Sequence, residues 1–279
     1  MVVYLAHMAW RAVPGDTGFL LVHIGVSQAM EILYGRNAVY EALRAGRRRC
    51  ENVLVAEGIQ ESGTAAGILA LAEERGISIK RITRRQLDQL GAVNHQGVAA
   101  QVDPYPYVEL DDILDLAQQR GEFPFLLLLD CLEDPQNLGT LLRTAEAVAV
   151  HGVVIPRRRA AQVTPAVSNA SAGAVEHLLI AQVTNLVRTM GELKEQGVWI
   201  VGLEHTPDAQ DYREADLNMP LALVVGSEGR GLRRLVRDSC DLLIQLPMRG
   251  SINSLNASVA GSIALYEAWH QRTRANSTK

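Results

Sequence analysis

Three stretches of this sequence place polar side chains at short, fixed spacings directly after apolar runs. In the first, Asp134 to Arg143, Asn137 suits a helix N-cap and Arg143 follows six residues later. A helix N-terminus beside a guanidinium can hold a phosphate or a reacting oxygen, although a capped helix with a solvated arginine would read the same way. The second stretch, Gly226-Ser-Glu228-Gly-Arg-Gly231, puts three glycines after an apolar run. Such a loop turns sharply or admits a ligand close to the backbone, and a buried Glu228 would need a partner or a role. Its spacing matches neither a dinucleotide fingerprint nor a P-loop. The third stretch runs from Leu246-Pro-Met248-Arg-Gly250 to Ser254-Leu255-Asn256-Ala-Ser258. Its Ser and Asn residues alternate with apolar ones and precede a helix whose Ala260, Gly261 and Ala264 allow another element to approach closely. Each stretch has a bland alternative in a cap or a turn; the three in this order are far more specific.

The elements that must position these residues fall into two blocks. From Arg36, helical and extended segments alternate: a helix stopped by Gly46, a strand over 53–55, a helix over 65–75, a strand over 77–79, a helix over 84–90 and a strand over 97–102. Residues 31–102 are thus expected to form a small α/β domain. Asp103, Pro104 and Pro106 predict a stiff linker, and 103–120 is read as linker plus helix. In 121–274 the strands 125–130, 153–155, 198–203, 221–225 and 242–246 are continuous apolar runs, the signature of a parallel sheet covered on both faces. Ligands of such sheets bind beyond the strands' carboxyl ends, where the three stretches lie. Residues 1–30 read as an extension, either a short ordered one or the product of a start codon assigned upstream of Met30.

Composition bounds the function. The chain has 279 residues, 48% hydrophobic but only 5% aromatic, and 27 Lys plus Arg against 31 acidic residues for a net charge of -4. That excludes a uniformly basic nucleic-acid coat and leaves local basic patches open. Unmixed runs stand out: Arg44, Arg47, Arg48 and Arg49; Lys80, Arg81, Arg84 and Arg85; Arg157, Arg158 and Arg159. Solvated faces would produce the same runs. The three cysteines, Cys50, Cys131 and Cys240, show no disulfide or metal-ligand spacing, so no metal and a reducing, cytoplasmic setting are expected. No apolar run approaches the roughly 20 residues of a membrane span.

The segments Asn137 to Arg143, Gly226 to Gly231, Leu246 to Gly250 and Ser254 to Ser258 make the block from about Phe125 to Arg272 similar to the SpoU family of RNA ribose 2′-O-methyltransferases. With Tyr34-Gly-Arg-Asn37 and Asn94-His-Gln-Gly97, the N-terminal unit resembles that of the two-domain subgroup, which includes the bacterial 23S rRNA guanosine 2′-O-methyltransferases. The resemblance implies an L30e-like N-terminal RNA-binding domain and a SPOUT-type α/β catalytic domain with a C-terminal trefoil knot. It also implies S-adenosylmethionine as cofactor, RNA as substrate, and a homodimer whose active site draws on both subunits. Carried over by position, Gly226, Leu246, Met248 and Leu255 would contact the cofactor, while Asn137, Arg143, Glu228, Ser254 and Asn256 would form the catalytic site. Arg47, Arg48, Arg49, Arg84, Arg85, Arg157 and Arg158 then become candidates for RNA phosphates.

A ribose 2′-hydroxyl is a poor nucleophile until its proton is taken or strongly hydrogen-bonded, whereas a sulfonium methyl arrives activated. A guanidinium with a pKa above about 12 does not serve as a base. Arg143 is therefore expected to stabilise the developing alkoxide or to anchor a phosphate, with the proton passing to Glu228 or water. The competing readings are a tRNA or antibiotic-resistance rRNA methyltransferase, a non-catalytic RNA-binding protein, and a dehydrogenase, which would require the missing fingerprint. Cys131 as a covalent nucleophile lacks a positioned base and reads as packing.

Overall fold

The computed structural model describes residues 30–91, 94–251 and 254–276, so the reading of residues 1–30 lies, Met30 apart, outside the described residues. The first unit contains β1 (Glu31–Tyr34), α1 (Arg36–Ala45), β2 (Cys50–Ala56), α2 (Thr64–Glu74), β3 (Ser78–Ile82), α3 (Arg84–Gln89) and β4 (Val98–Val102). Its sheet runs β1-β4-β2-β3, with β4 antiparallel to both neighbours and β2 parallel to β3. Leu33, Val39, Leu43, Val53, Val55 and Ile68 form its core. Glycine stops α1 as expected, Gly46 taking the left-handed conformation at φ 64°, but the helix starts after Gly35 and Asn37 does not cap it.

The second unit comprises α4 (Leu110–Arg120), β5 (Phe125–Leu129), α5 (Pro135–Ala147), β6 (Gly152–Pro156), α6 (Pro165–Ala170), a 3-10 turn (Ala174–His177) and β7 (Ile180–Val183). It continues through α7 (Leu186–Glu195), β8 (Trp199–Leu203), β9 (Gln210–Asp211), β10 (Leu221–Val225), α8 (Arg234–Asp238), β11 (Leu242–Gln245) and α9 (Ala257–Asn276). The seven strands lie in the order β7-β6-β5-β10-β8-β11-β9, each pair parallel. The apolar runs have the expected cause. Leu127, Leu129, Leu223 and Val225 enter the core on one face of the sheet, while Leu126, Leu128, Ala222 and Val224 enter the core on the other. Strands β1, β7 and β9 were not expected, being too short or too mixed for a periodic signal.

The linker residues 103–107 pack into a seam between the two units. Tyr105 is buried and its hydroxyl donates to the Leu178 carbonyl at 2.6 Å, while Val108 bridges to Ala181. Arg48, also buried, clasps Glu176 through Nε and Nη2 at 2.9 Å each and reaches Glu31 through Nη1 at 3.1 Å. Arg47 donates to the Tyr105 hydroxyl at 3.1 Å and to the Leu178 carbonyl. The expectation that Arg47 and Arg48 contact RNA is thereby corrected: their guanidinium groups hold the two units together. The partner carboxylate lies 128 residues from Arg48, so the arginine run alone could not reveal the pairing.

At the start of β5, His151 accepts the Phe125 N–H on Nδ1 at 3.0 Å and faces Glu122 through Nε2 at 3.1 Å. Burial lowers its pKa, so the folded protein holds this proton more weakly than the unfolded chain. The contribution to stability is therefore complete above the unfolded value of about 6.5 and declines as pH falls through the folded one. Urea midpoints should drop between about pH 7.5 and about pH 5.5, and drop less for His151→Gln. An equal drop in both proteins would exclude His151 as a source of acid sensitivity.

Candidate active site

The loops after β10 and β11 and the start of α9 enclose a cavity of about 410 Å³ beyond the carboxyl ends of the strands. Gly226, Glu228, Leu246, Met248, Ser254 and Leu255, all singled out in the sequence, line it together with Leu203, Glu204 and His205. Gly226 is buried where the loop folds back on itself: Ser227 and Gly231 exchange backbone hydrogen bonds at 3.2 and 3.0 Å. A Cβ on Gly226 would collide with the Gly231 backbone, so the loop closes this tightly only with glycine there.

Asn256 organises the polar residues. Its Nδ2 donates to Asn137 Oδ1 at 2.9 Å and to Glu228 Oε1. Its Oδ1 accepts from the Ser258 N–H at 2.9 Å, the Ser258 hydroxyl at 2.6 Å and the Val259 N–H at 3.2 Å, so Asn256 also caps α9. Asn137 itself is not the expected cap of α5. Asp134 caps that helix, accepting from the backbone N–H of Gln136 at 3.2 Å and of Asn137 at 3.1 Å, which leaves the Asn137 side chain free to meet Asn256. On the far side of Glu228 lies a second cavity of about 480 Å³, lined by Cys131, Asn137, Arg159, Arg230 and Arg233 among others. Glu228 and Ser227 border both cavities.

Residues 124–266 match the SpoU rRNA methylase family, and residues 32–108 match the substrate-binding family of RNA 2′-O ribose methyltransferases. The chain belongs to the SpoU methylase family. It is 48% identical over 247 residues to a TrmH family tRNA/rRNA methyltransferase of Bacillus subtilis, covering 88% of this chain and 98% of the relative. A TrmH family relative in Staphylococcus aureus is 44% identical, with 86% and 96% covered. Among solved structures, the SpoU methyltransferase AviRb from Streptomyces viridochromogenes in complex with AdoMet is similar, with a TM-score of 0.73, 25% identity and 88% and 92% covered. An RNA 2′-O ribose methyltransferase is similar with a TM-score of 0.70, 27% identity and 88% and 90% covered. This SpoU methylase is accordingly an RNA methyltransferase that uses S-adenosylmethionine.

Within one copy of the SpoU chain, Arg143 stands apart from the Asn137–Asn256–Glu228 cluster. It is exposed and lines a cleft with Asn37, Glu41, Glu146 and His177. Helix geometry explains this: six residues of α5 rotate the side-chain direction about 120° from that of Asn137 and advance it about 9 Å. Ser254 borders the first cavity without joining the hydrogen-bonded cluster. Arg49, Arg84, Arg85, Arg157 and Arg158 are exposed, and Arg157 Nε donates to the Gln182 carbonyl at 3.3 Å. Burial and the neighbouring Asp130 carboxylate push the Cys131 thiol up, opposite to what a covalent nucleophile needs. Among the described residues no group of three or more His, Cys, Asp and Glu could hold a metal, and no helix is long and apolar enough to cross a membrane.

Proposed function

We propose that this methylase transfers the methyl group of S-adenosylmethionine to a ribose 2′-hydroxyl, that of a guanosine in 23S rRNA, in the cytoplasm. The observation that carries this is the Asn256 bridge. It ties Glu228, which borders both cavities, to Asn137 on the wall of the second, an arrangement suited to a donor on one side and an acceptor on the other. The first cavity fits the cofactor. Its apolar Leu203, Val225, Leu246 and Leu255 can take an adenine, its glycine loop admits close backbone approach, and its volume lies in the usual ligand range of roughly 300–1,000 Å³. When bound, S-adenosylmethionine supplies a sulfonium-activated methyl. Arg159, Arg230 and Arg233 suit the second cavity to a nucleotide phosphate, and Glu228 can accept the hydroxyl proton directly or through water.

Arg143 would serve the site of a second copy, in a homodimer. Val259, Tyr266 and Trp269 on α9 are 46%, 49% and 39% exposed and supply an apolar face for such an association. The trefoil knot and the L30e-like character of the first unit, taken as residues 31–102 ahead of a 121–274 methyltransferase domain, belong to the same proposal. Arg49, Arg84, Arg85, Arg157 and Arg158 remain candidates for phosphate contact, which a steep salt dependence of RNA affinity would accompany. The deciding experiment maps 2′-O-methylation in rRNA and tRNA from cells lacking the protein. Loss at one 23S guanosine is the expected result. Loss confined to tRNA would move the substrate, and two unchanged maps would overturn the proposal.

A further inference from the structure

We propose that Asp130 and Glu204 are positioning residues that clamp the glycine-rich cofactor loop from both sides of its strand. The inference rests on the first cavity being the S-adenosylmethionine site. The loop over 226–231 consists half of glycine, with Gly229 and Gly231 at φ 72° and 62°; its Ser227–Gly231 hydrogen bonds close it on itself but do not tie it to the neighbouring strands. It follows β10, whose two neighbours in the sheet are β5 and β8. Asp130 is the residue after β5, and Glu204 is the residue after β8.

Each reaches the point where the loop ends. The Asp130 N–H donates to the Val225 carbonyl at 2.8 Å, securing the entry to the loop. Its carboxylate, fully buried, accepts the Arg233 backbone N–H on Oδ2 at 2.8 Å and Arg233 Nε on Oδ1 at 2.7 Å, securing the exit. From the other side Glu204 Oε2 accepts the Leu232 N–H at 2.6 Å, while the Glu204 N–H donates to Ile244 at 3.0 Å and so ties in the strand leading to Leu246. A Cβ on Gly231 would fall on the Glu204 carboxylate oxygens, so the glycine is what lets that carboxylate reach the backbone. Charge-assisted hydrogen bonds from two strand ends onto consecutive amides give the loop one position before any ligand enters. Arg233 also borders the second cavity, so the clamp spans both halves of the site.

Calorimetric binding of S-adenosylhomocysteine and amide hydrogen exchange of the ligand-free protein test this. Glu204→Ala should weaken binding about tenfold and speed exchange at Leu232 and Arg233, with the thermal midpoint nearly unchanged. Glu204→Gln, which keeps an acceptor, should stay within about threefold of wild type. Asp130→Asn should weaken binding as well, although Asp130 does not line the first cavity; if its burial prevents folding, the Glu204 pair still decides. Unchanged exchange at both amides in Glu204→Ala, wild-type affinity in that variant, or equal losses in Glu204→Ala and Glu204→Gln would each overturn the clamp. A wild-type protein that fails to bind S-adenosylhomocysteine would instead overturn the assignment of the cavity, and the exchange arm would still decide the clamp.

Discussion

Replacing Asn256 by aspartate should leave α9 capped and nearly abolish methyl transfer. Aspartate and asparagine cap helices about equally well, and the acceptor used by Ser258 and Val259 survives the exchange. The lost group is the Nδ2 amide, the donor to both Asn137 and Glu228. A second carboxylate in its place repels Glu228 and turns it from the wall between the cavities. Turnover should fall at least about a hundredfold while the thermal midpoint stays within a few degrees, whereas Asn256→Ala should in addition cost about 1 kcal/mol of stability through the lost cap. Methylation of an rRNA fragment, measured beside a thermal melt, checks this; wild-type turnover in Asn256→Asp would remove the bridge from the mechanism. The same variant tests the second-copy role of Arg143. In randomly mixed Asn256→Asp and Arg143→Ala dimers, a composite site would restore about a quarter of wild-type sites, and a site made within one chain would restore none.

The largest stability effect is expected at the seam. Arg48→Ala should destabilise the protein by about 3–5 kcal/mol, because it removes the partner that Glu176, with a side chain only 1% exposed, depends on. Burial already raises the Glu176 pKa against the pull of Arg48. Without the arginine it rises further, so the folded variant binds this proton more tightly than the unfolded chain does. The deficit of the variant is thus greatest above the ordinary carboxylate range and shrinks as pH falls. The double variant Arg48→Met with Glu176→Leu should regain much of the loss, since an apolar pair leaves no charge to compensate. Denaturant unfolding of the three proteins at two pH values gives the answer, and a pH-independent deficit below about 1 kcal/mol would show that the pair contributes little.

The elements most legible in the sequence were those whose local signals and burial agree. The runs over 125–129 and 221–225 are apolar because both faces of the sheet are covered, and Gly46 ends α1 because it can adopt a left-handed conformation. Less legible were the features set by partners far along the chain. Asn137 looked like a cap because asparagine is a good one, yet Asp134 sits three residues nearer the helix start and takes the task. Asp130 and Glu204 carried a usable signal, each lying just beyond the carboxyl end of an apolar strand, but a single carboxylate after a strand does not announce its acceptor role. The arginine run over 47–49 divides in space: Arg47 and Arg48 turn into the seam, while Arg49 remains exposed.

By itself, the sequence determined the parallel α/β class of the larger unit, the three polar stretches at its strand ends and, through their resemblance, the SpoU family. Periodicity and motif spacing are local properties, and local properties survive without coordinates. The tertiary structure decided which of these residues meet. Asn256 reaches Asn137 across 119 positions and Glu228 across 28, while Arg143, only six residues from Asn137, faces elsewhere because a helix turns its side chains through a fixed angle. Separation along the chain says little about separation in space once strands order themselves by burial rather than by sequence, and the active site is built from that reordering.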